Sequence, residues 1–195
     1  MMKHGLVIAL LALMAPLTIV APAHADDRRC TGTIRAVNID GNVIVPSGKS
    51  CKLLGTRVDD NVFVRRGAVL EAYGVRVEGN IQAGNHRRVL VRPRVVNDTV
   101  RRSRIGGDIQ LFDGRRGNIR RTVIGGNLQV KQNTGFQAAV RNVVDADLQA
   151  FSNTGGFRIY RNRIDGNLQC KSNDPAPYGG QNTVQGNKED QCRRL

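Results

Sequence analysis

The 195-residue chain has no tryptophan, and aromatic side chains make up only 4% of it although 40% of its residues are hydrophobic. Any core it builds is therefore aliphatic and finely layered, without the large rings that usually fill a globular interior. Histidine is nearly absent: His4 and His24 fall in the first 25 residues, which leaves His86 as the one candidate for a Ser-His-Asp or Cys-His device. Flanked by Asn85, Arg87 and Arg88, His86 reads as a solvated surface residue. The chain contains no GxSxG elbow, no GxGxxG or GxxxxGK[ST] phosphate loop and no CxxC pair. These absences remove the familiar signatures of hydrolases, nucleotide-binding enzymes and zinc sites, and no cofactor or metal ligand set is expected.

Acidic residues are also few, 16 against 30 basic ones. The first 25 residues read as a secretory signal peptide, with Lys3 and His4 ahead of an apolar stretch from Leu6 to Val20 and Ala23-His24-Ala25 as the small-residue cleavage site. The apolar run, about 15 residues and interrupted by Pro16, is shorter than the roughly 20 that cross a bilayer. No second such run follows, so no membrane span is expected after processing. Cleavage would leave 29 basic against 16 acidic residues, a net charge of +13, on a single domain of residues 26–195. The expected location is secreted, periplasmic or associated with the cell envelope.

What the mature sequence has in abundance is repetition. IDGNVIV, VDDNVFV, VEGNIQA, IGGDIQL, IGGNLQV, VDADLQA and IDGNLQC begin at Ile39, Val58, Val77, Ile105, Ile124, Val144 and Ile164, and a degenerate VQGNKED begins at Val184. Their spacings are 19, 19, 28, 19, 20, 20 and 20 residues. Within each copy aliphatic and polar residues alternate, which is the period of a strand. A 19–20-residue β unit is too short for a propeller blade and fits one coil of a parallel β-solenoid. The fold class expected is all-β, a single-domain parallel β-helix or solenoid. Ile109, Leu128, Leu148 and Leu168 should stack as one buried column and Leu111, Val130, Ala150 and Cys170 as the next, with Gln110, Gln129, Gln149 and Gln169 outside.

Three polar ladders accompany the beat: Asn127, Asp147, Asn167 and Asn187; Asn133, Asn153 and Asn173; and Asn142, Asn162 and Asn182. Asparagine tolerates tight-turn backbone and its amide both donates and accepts, so these residues are read as structural. The 28-residue interval marks an irregular insertion near residues 84–104, either extra residues on one coil or an added strand around Val95-Val96, with Pro93 favouring a protruding turn. Cys30 and Cys51 are 21 apart and Cys170 and Cys192 are 22 apart, close to one coil, so disulfides Cys30–Cys51 and Cys170–Cys192 should close the two ends.

From Gly166 to Cys192 the sequence GNLQCKSNDPAPYGGQNTVQGNKEDQC resembles the C-terminal signature GNLQCxxNxPxPxGGxNxVxGNKEDQC of uncharacterised secreted bacterial β-helix repeat proteins. That resemblance implies an exported, right-handed β-helix. More distantly, the short stacked rungs are similar to those of bactofilins, which form polymers; this chain departs from them in its leader, its cysteines and its basic charge.

Arginine supplies 24 of the 30 basic residues, a bias toward planar, bidentate recognition of carboxylate, sulfate or phosphate. Arg87, Arg88, Arg92, Arg94, Arg101, Arg102, Arg104, Arg115, Arg116, Arg120 and Arg121 crowd into one window with only Asp98, Asp108 and Asp113. Stacking should bring them together as a positive strip. The expected function is a non-enzymatic structural or binding module whose partner is an anionic polysaccharide or other cell-envelope polymer. Nucleic acid fits less well, because Phe112 is the one aromatic residue near the cluster that could stack a base. Two alternatives stand beside it: a small polysaccharide lyase or glycosidase on a β-helix, for which Asp108, Asp147 and Asp165 are the carboxylates to consider, and a self-assembling solenoid scaffold. Oligomeric state is left open.

Overall fold

The computed structural model describes residues 27–195; the leader read at residues 1–25 lies outside them. The described chain is a parallel β-solenoid with no helix, wound as about eight coils. Each coil contributes one short strand to each of three sheets. Sheet A has nine strands, from Arg28–Arg29 to Lys188–Asp190; sheet B has eight, from Thr33–Ile34 to Tyr178–Gly180; sheet C has eight, from Asn38–Ile39 to Thr183–Val184.

Alternation along each strand sends one set of side chains inward. In sheet A the inward columns are Ile109, Leu128, Leu148 and Leu168, and Leu111, Val130, Ala150 and Cys170, paired in register and buried. Sheet C supplies one aliphatic residue per coil, including Val77, Ile105, Ile124, Val144 and Ile164. Sheets A and B each send two side chains inward per full coil and sheet C one, so the narrow interior is filled mainly by aliphatic residues, with Phe157 the one aromatic ring fully buried among the described residues. On the outer side of sheet A the glutamines form a half-buried ladder: Nε2 of Gln110, Gln129 and Gln149 donates to Oε1 of the next coil's glutamine at 3.3, 3.0 and 2.9 Å, and Gln169 donates to Glu189 at 3.0 Å.

The corners contain the polar ladders. Oδ1 of Asn127, Asp147 and Asn167 accepts the backbone N–H of residues 147, 167 and 187 one coil on, at 3.1, 2.7 and 2.8 Å. The same ladder runs back through Asp108, Asn80, Asn61 and Asn42. Only an acceptor oxygen is common to every rung, which explains why aspartate and asparagine alternate in it. The other two ladders are buried and more demanding. Asn153 accepts the N–H of Asn133 at 3.1 Å while its Nδ2 donates to Val130 O at 2.9 Å and to Asn173 Oδ1 at 2.9 Å. Asn142 and Asn162 are held in the same way, by Ile119 O and Ala139 O. There both halves of the amide are needed, and asparagine holds the position in successive coils from Asn133 to Asn173 and from Asn142 to Asn182.

The irregular interval resolves into a hairpin. Arg88–Arg92 stays in sheet B, and the chain then leaves the B–C corner as the antiparallel pair Arg94–Val96 and Thr99–Arg101 before rejoining sheet C at Arg104. Asn97 and Asp98 both have positive φ, 46° and 60°, as a two-residue I′ turn requires. The hairpin folds over Gly74, where an added Cβ would come within 2.7 Å of the Arg94 Cβ and φ is +58°. Both disulfides link neighbouring coils, with Cα separations of 5.4 Å for Cys30–Cys51 and 5.3 Å for Cys170–Cys192. Buried Cys192 and Leu195 cover the C-terminal end of the core.

The two kinds of ladder predict opposite responses to one exchange. Asp147→Asn keeps the acceptor and should change stability by less than about 1 kcal/mol. Asn153→Asp removes two buried donated hydrogen bonds and adds a buried charge, and should cost more than about 3 kcal/mol. Guanidinium unfolding midpoints of the two variants decide it.

Candidate anion-binding surface

Sheet B carries the arginines because of its outward positions. In Arg88–Arg92 the residues Val89 and Val91 point inward and Arg88, Leu90 and Arg92 outward; in Arg116–Arg120 one coil later Gly117 and Ile119 point inward and Arg116, Asn118 and Arg120 outward. Parallel register sets Arg88 beside Arg116 and Val91 beside Ile119, so Arg92 lies beside Arg120. Adjacent strands are about 4.8 Å apart, and four guanidinium groups therefore crowd around Leu90 and Asn118. Arg120 Nε is steadied by Asn118 Oδ1 at 2.8 Å. Burial, and then the charges of Arg92 and Arg158, push the Arg120 pKa down.

Three depressions adjoin one another across this sheet. At the A–B corner Arg87, Arg88, Arg115 and Arg116 join Thr33, Lys52 and Glu71 around about 690 Å³. Mid-sheet, Arg88, Arg92 and Arg116 surround Leu90, Asn118 and Phe136 in about 410 Å³. At the B–C corner about 370 Å³ is lined by Arg92, Arg120, Arg121, Arg141 and Arg158 with Pro93, Val140 and Tyr160. Shared residues make them one trough, and Glu71, bonded to Arg88 and 4.0 Å from Lys52, is the only carboxylate in its lining.

No protein-family model, curated protein or solved structure matches this chain. The β-solenoid is consistent with β-helix repeat proteins in architecture alone.

Of the eleven arginines expected to form one strip, seven line this trough: Arg87, Arg88, Arg92, Arg115, Arg116, Arg120 and Arg121. The other four are carried elsewhere. Arg94 is a tether, its Nη1 donating to Leu54 O at 3.1 Å to hold the hairpin against the corner. Arg101 and Arg102 are exposed at the end of the hairpin, and Arg104 lies on sheet C beside Arg76. Three other arginines of sheet C have carboxylate partners: Arg57 with Asp59 and Glu78, Arg76 with Glu78, Arg163 with Asp165.

Three trough or rim arginines and one tyrosine lie outside the sequence window. Arg141, Arg158 and Tyr160 complete the B–C depression, and Arg161 stands beside it. The guanidinium carbons of Arg158 and Arg161 are 4.9 and 5.0 Å from the Tyr160 ring centre, and Gln181 Oε1 accepts from both Tyr160 OH at 3.0 Å and Arg161 Nε at 2.6 Å. A signal for them was present in the repeat: Arg121, Arg141, Arg161 and Gln181 each precede a member of the column Thr122, Asn142, Asn162 and Asn182. All four have left-handed backbone, with φ of 48°, 57°, 55° and 56°, at a corner where earlier coils place Gly55 and Gly74. A side chain in that conformation costs about 1–2 kcal/mol.

The histidine expected on the surface is buried, at 1% exposure. His86 lies in the column one coil before Gly114 and two before Asn133, so it points into the A–B corner despite its charged neighbours in sequence. Its Nδ1 lies 3.3 Å from Ala83 O, its Nε2 has no partner, and any side chain at Gly114 would collide with the ring. The three aspartates considered for catalysis are tied up structurally: Asp108 and Asp147 in the corner ladder, Asp165 with Arg163 and Gln185.

Burial holds the His86 pKa below its ordinary 6.5. The unfolded chain then binds a proton that the fold refuses, so stability is complete above about pH 6.5 and falls as pH drops below it, by at most about 1.4 kcal/mol per pH unit. The loss of unfolding free energy between pH 7 and pH 5 should be smaller in His86→Asn than in the parent, whatever the variant's absolute stability.

Proposed function

We propose that the protein is an exported, non-enzymatic binding module that holds anionic polymers across sheet B. The observation that carries this reading is the continuous trough with seven of the sequence cluster's arginines, three more from later coils' neighbourhood of the B–C corner, and a single carboxylate. Guanidinium groups fixed on adjacent rungs repel one another, and a chain of carboxylate, sulfate or phosphate groups relieves that repulsion along its length. Two disulfides between neighbouring coils suit an oxidising, extracellular compartment, where envelope glycans of this charge are found. Among the described residues no helix is long and apolar enough to cross a membrane.

Retention of oxidised protein on immobilised heparin at about 50 and 300 mM salt tests the reading. Binding should weaken steeply with salt, and changing Arg88, Arg92, Arg116 and Arg120 together to Gln should flatten the slope of log affinity against log salt by about 2.8–3.6 if each contact contributes about 0.7–0.9. A triple Arg101, Arg102 and Arg104 to Gln variant should keep most of the slope. Equal losses in the two variants, or no retention at either salt, would overturn the assignment to sheet B.

A further inference from the structure

The B–C corner depression differs in kind from the rest of the trough. Five arginines converge on it, and among the described residues none of Arg92, Arg120, Arg121, Arg141 and Arg158 has a carboxylate within ion-pair distance. The Nε of Arg92 is buried without a hydrogen-bond partner, a donor left over after the protein's own acceptors are used. Beneath the charges the surface is apolar, formed by Val140, Pro93 and the ring of Tyr160. Tyr160, itself anchored on Gln181, spaces Arg158 from Arg161.

We propose that this corner is a discrete site for a phosphate monoester carried on a sugar, the terminal or pendant phosphate of a glycan. The inference rests on the anion-binding reading of sheet B and names the group that its most charged point takes. A uronate carboxylate offers one negative charge and two oxygens; a phosphate monoester carries close to two charges and three strongly accepting oxygens, which several guanidinium forks can share. Five unneutralised cations in one hollow call for the larger charge. The apolar floor meets the carbon face of the sugar, and the terminal guanidinium groups of the five arginines supply the donors to its phosphate oxygens. Left-handed Arg121 and Arg141 serve the site with their side chains, since glycine would satisfy the corner backbone without strain.

Calorimetric titration of the oxidised protein with glucose 1-phosphate, glucuronate and inorganic phosphate tests this, with heparin retention measured on the same samples. Glucose 1-phosphate should bind at least tenfold more tightly than glucuronate, and more tightly than inorganic phosphate, which lacks the sugar that meets the apolar floor. The double variant Arg121→Gly, Arg141→Gly should weaken glucose 1-phosphate at least tenfold while its unfolding midpoint stays level or rises, because the corner accepts glycine; Arg158→Gln should weaken it without altering the fold, and Arg57→Gln on sheet C should leave it unchanged. Equal affinity for glucose 1-phosphate and glucuronate, or glucose 1-phosphate binding that survives both corner variants, would overturn the proposal. If heparin retention nevertheless stays salt-steep and sensitive to the sheet B quartet, the polymer-binding reading stands without it; if heparin retention is also lost, both fall.

Discussion

Side-chain oxygens that accept the backbone N–H of a neighbouring coil hold this solenoid together. Strands of two to five residues give few ladder hydrogen bonds per coil, and at two of the three corners of a coil the ladder N–H groups are buried. Left unpaired in an aliphatic core, each such group would cost about 1–3 kcal/mol. Asn133, Asn153 and Asn173 on one corner and Asn142, Asn162 and Asn182 on another settle that cost at a fixed height, since each amide reaches only its neighbour one rung away. Across the longer interval the same kind of bond is made by Asn80 Oδ1, which accepts the Asp108 N–H, and by Ser103 Oγ, which accepts the Val75 N–H, and the eight or nine extra residues do not shift the register. Ala83 still pairs with Leu111, Arg88 with Arg116 and Ile105 with Val77, and the surplus leaves as the hairpin.

A scaffold locked this way fixes its outward side chains too, and the three sheets use that differently. Sheet A turns a glutamine ladder to solvent and places Lys131 between Phe112 and Phe151, at 5.6 and 5.3 Å from the ring centres. Sheet C sets Arg57, Arg76 and Arg163 against Asp59, Glu78 and Asp165. Sheet B stacks like charges in register, an arrangement that opposes folding wherever nothing neutralises it. The cost is spread by Asn118, Gln181 and the Tyr160 ring, which orient guanidinium groups without cancelling their charge.

Much of this was legible because the information is periodic. Ile109, Leu128, Leu148 and Leu168 announce a buried column by spacing alone, the cysteines announce their partners by lying one coil apart, and asparagine at 20-residue intervals announces the ladders. What was misread came from local context. His86 has polar neighbours on both sides, yet stepping back from Asn133 by 19 and then 28 residues places it inside the corner. The arginine window failed in the same way. Twenty residues of chain pass over all three sheets, so a run dense in sequence is divided among faces, and Arg94 and Arg104 part from Arg92 although they are close to it in the chain. The column, followed at the repeat period, would have found Arg141 and Arg161.

The two strand-B corners show how far side-chain chemistry was preferred to backbone ease. At the A–B corner the left-handed positions are held by Asn85, Asp113, Gln132, Ser152 and Ser172, all polar and mostly short. At the B–C corner the first coils use Gly55 and Gly74, and glycine at Gly74 is needed because the hairpin lies against it. Past the hairpin that steric demand disappears, and the position is taken by Arg121, Arg141 and Arg161. Arginine has neither glycine's freedom nor a short side chain's local hydrogen bond to offset the strain. Its guanidinium is what distinguishes it at that corner, and there three successive coils aim it at, or beside, the same hollow.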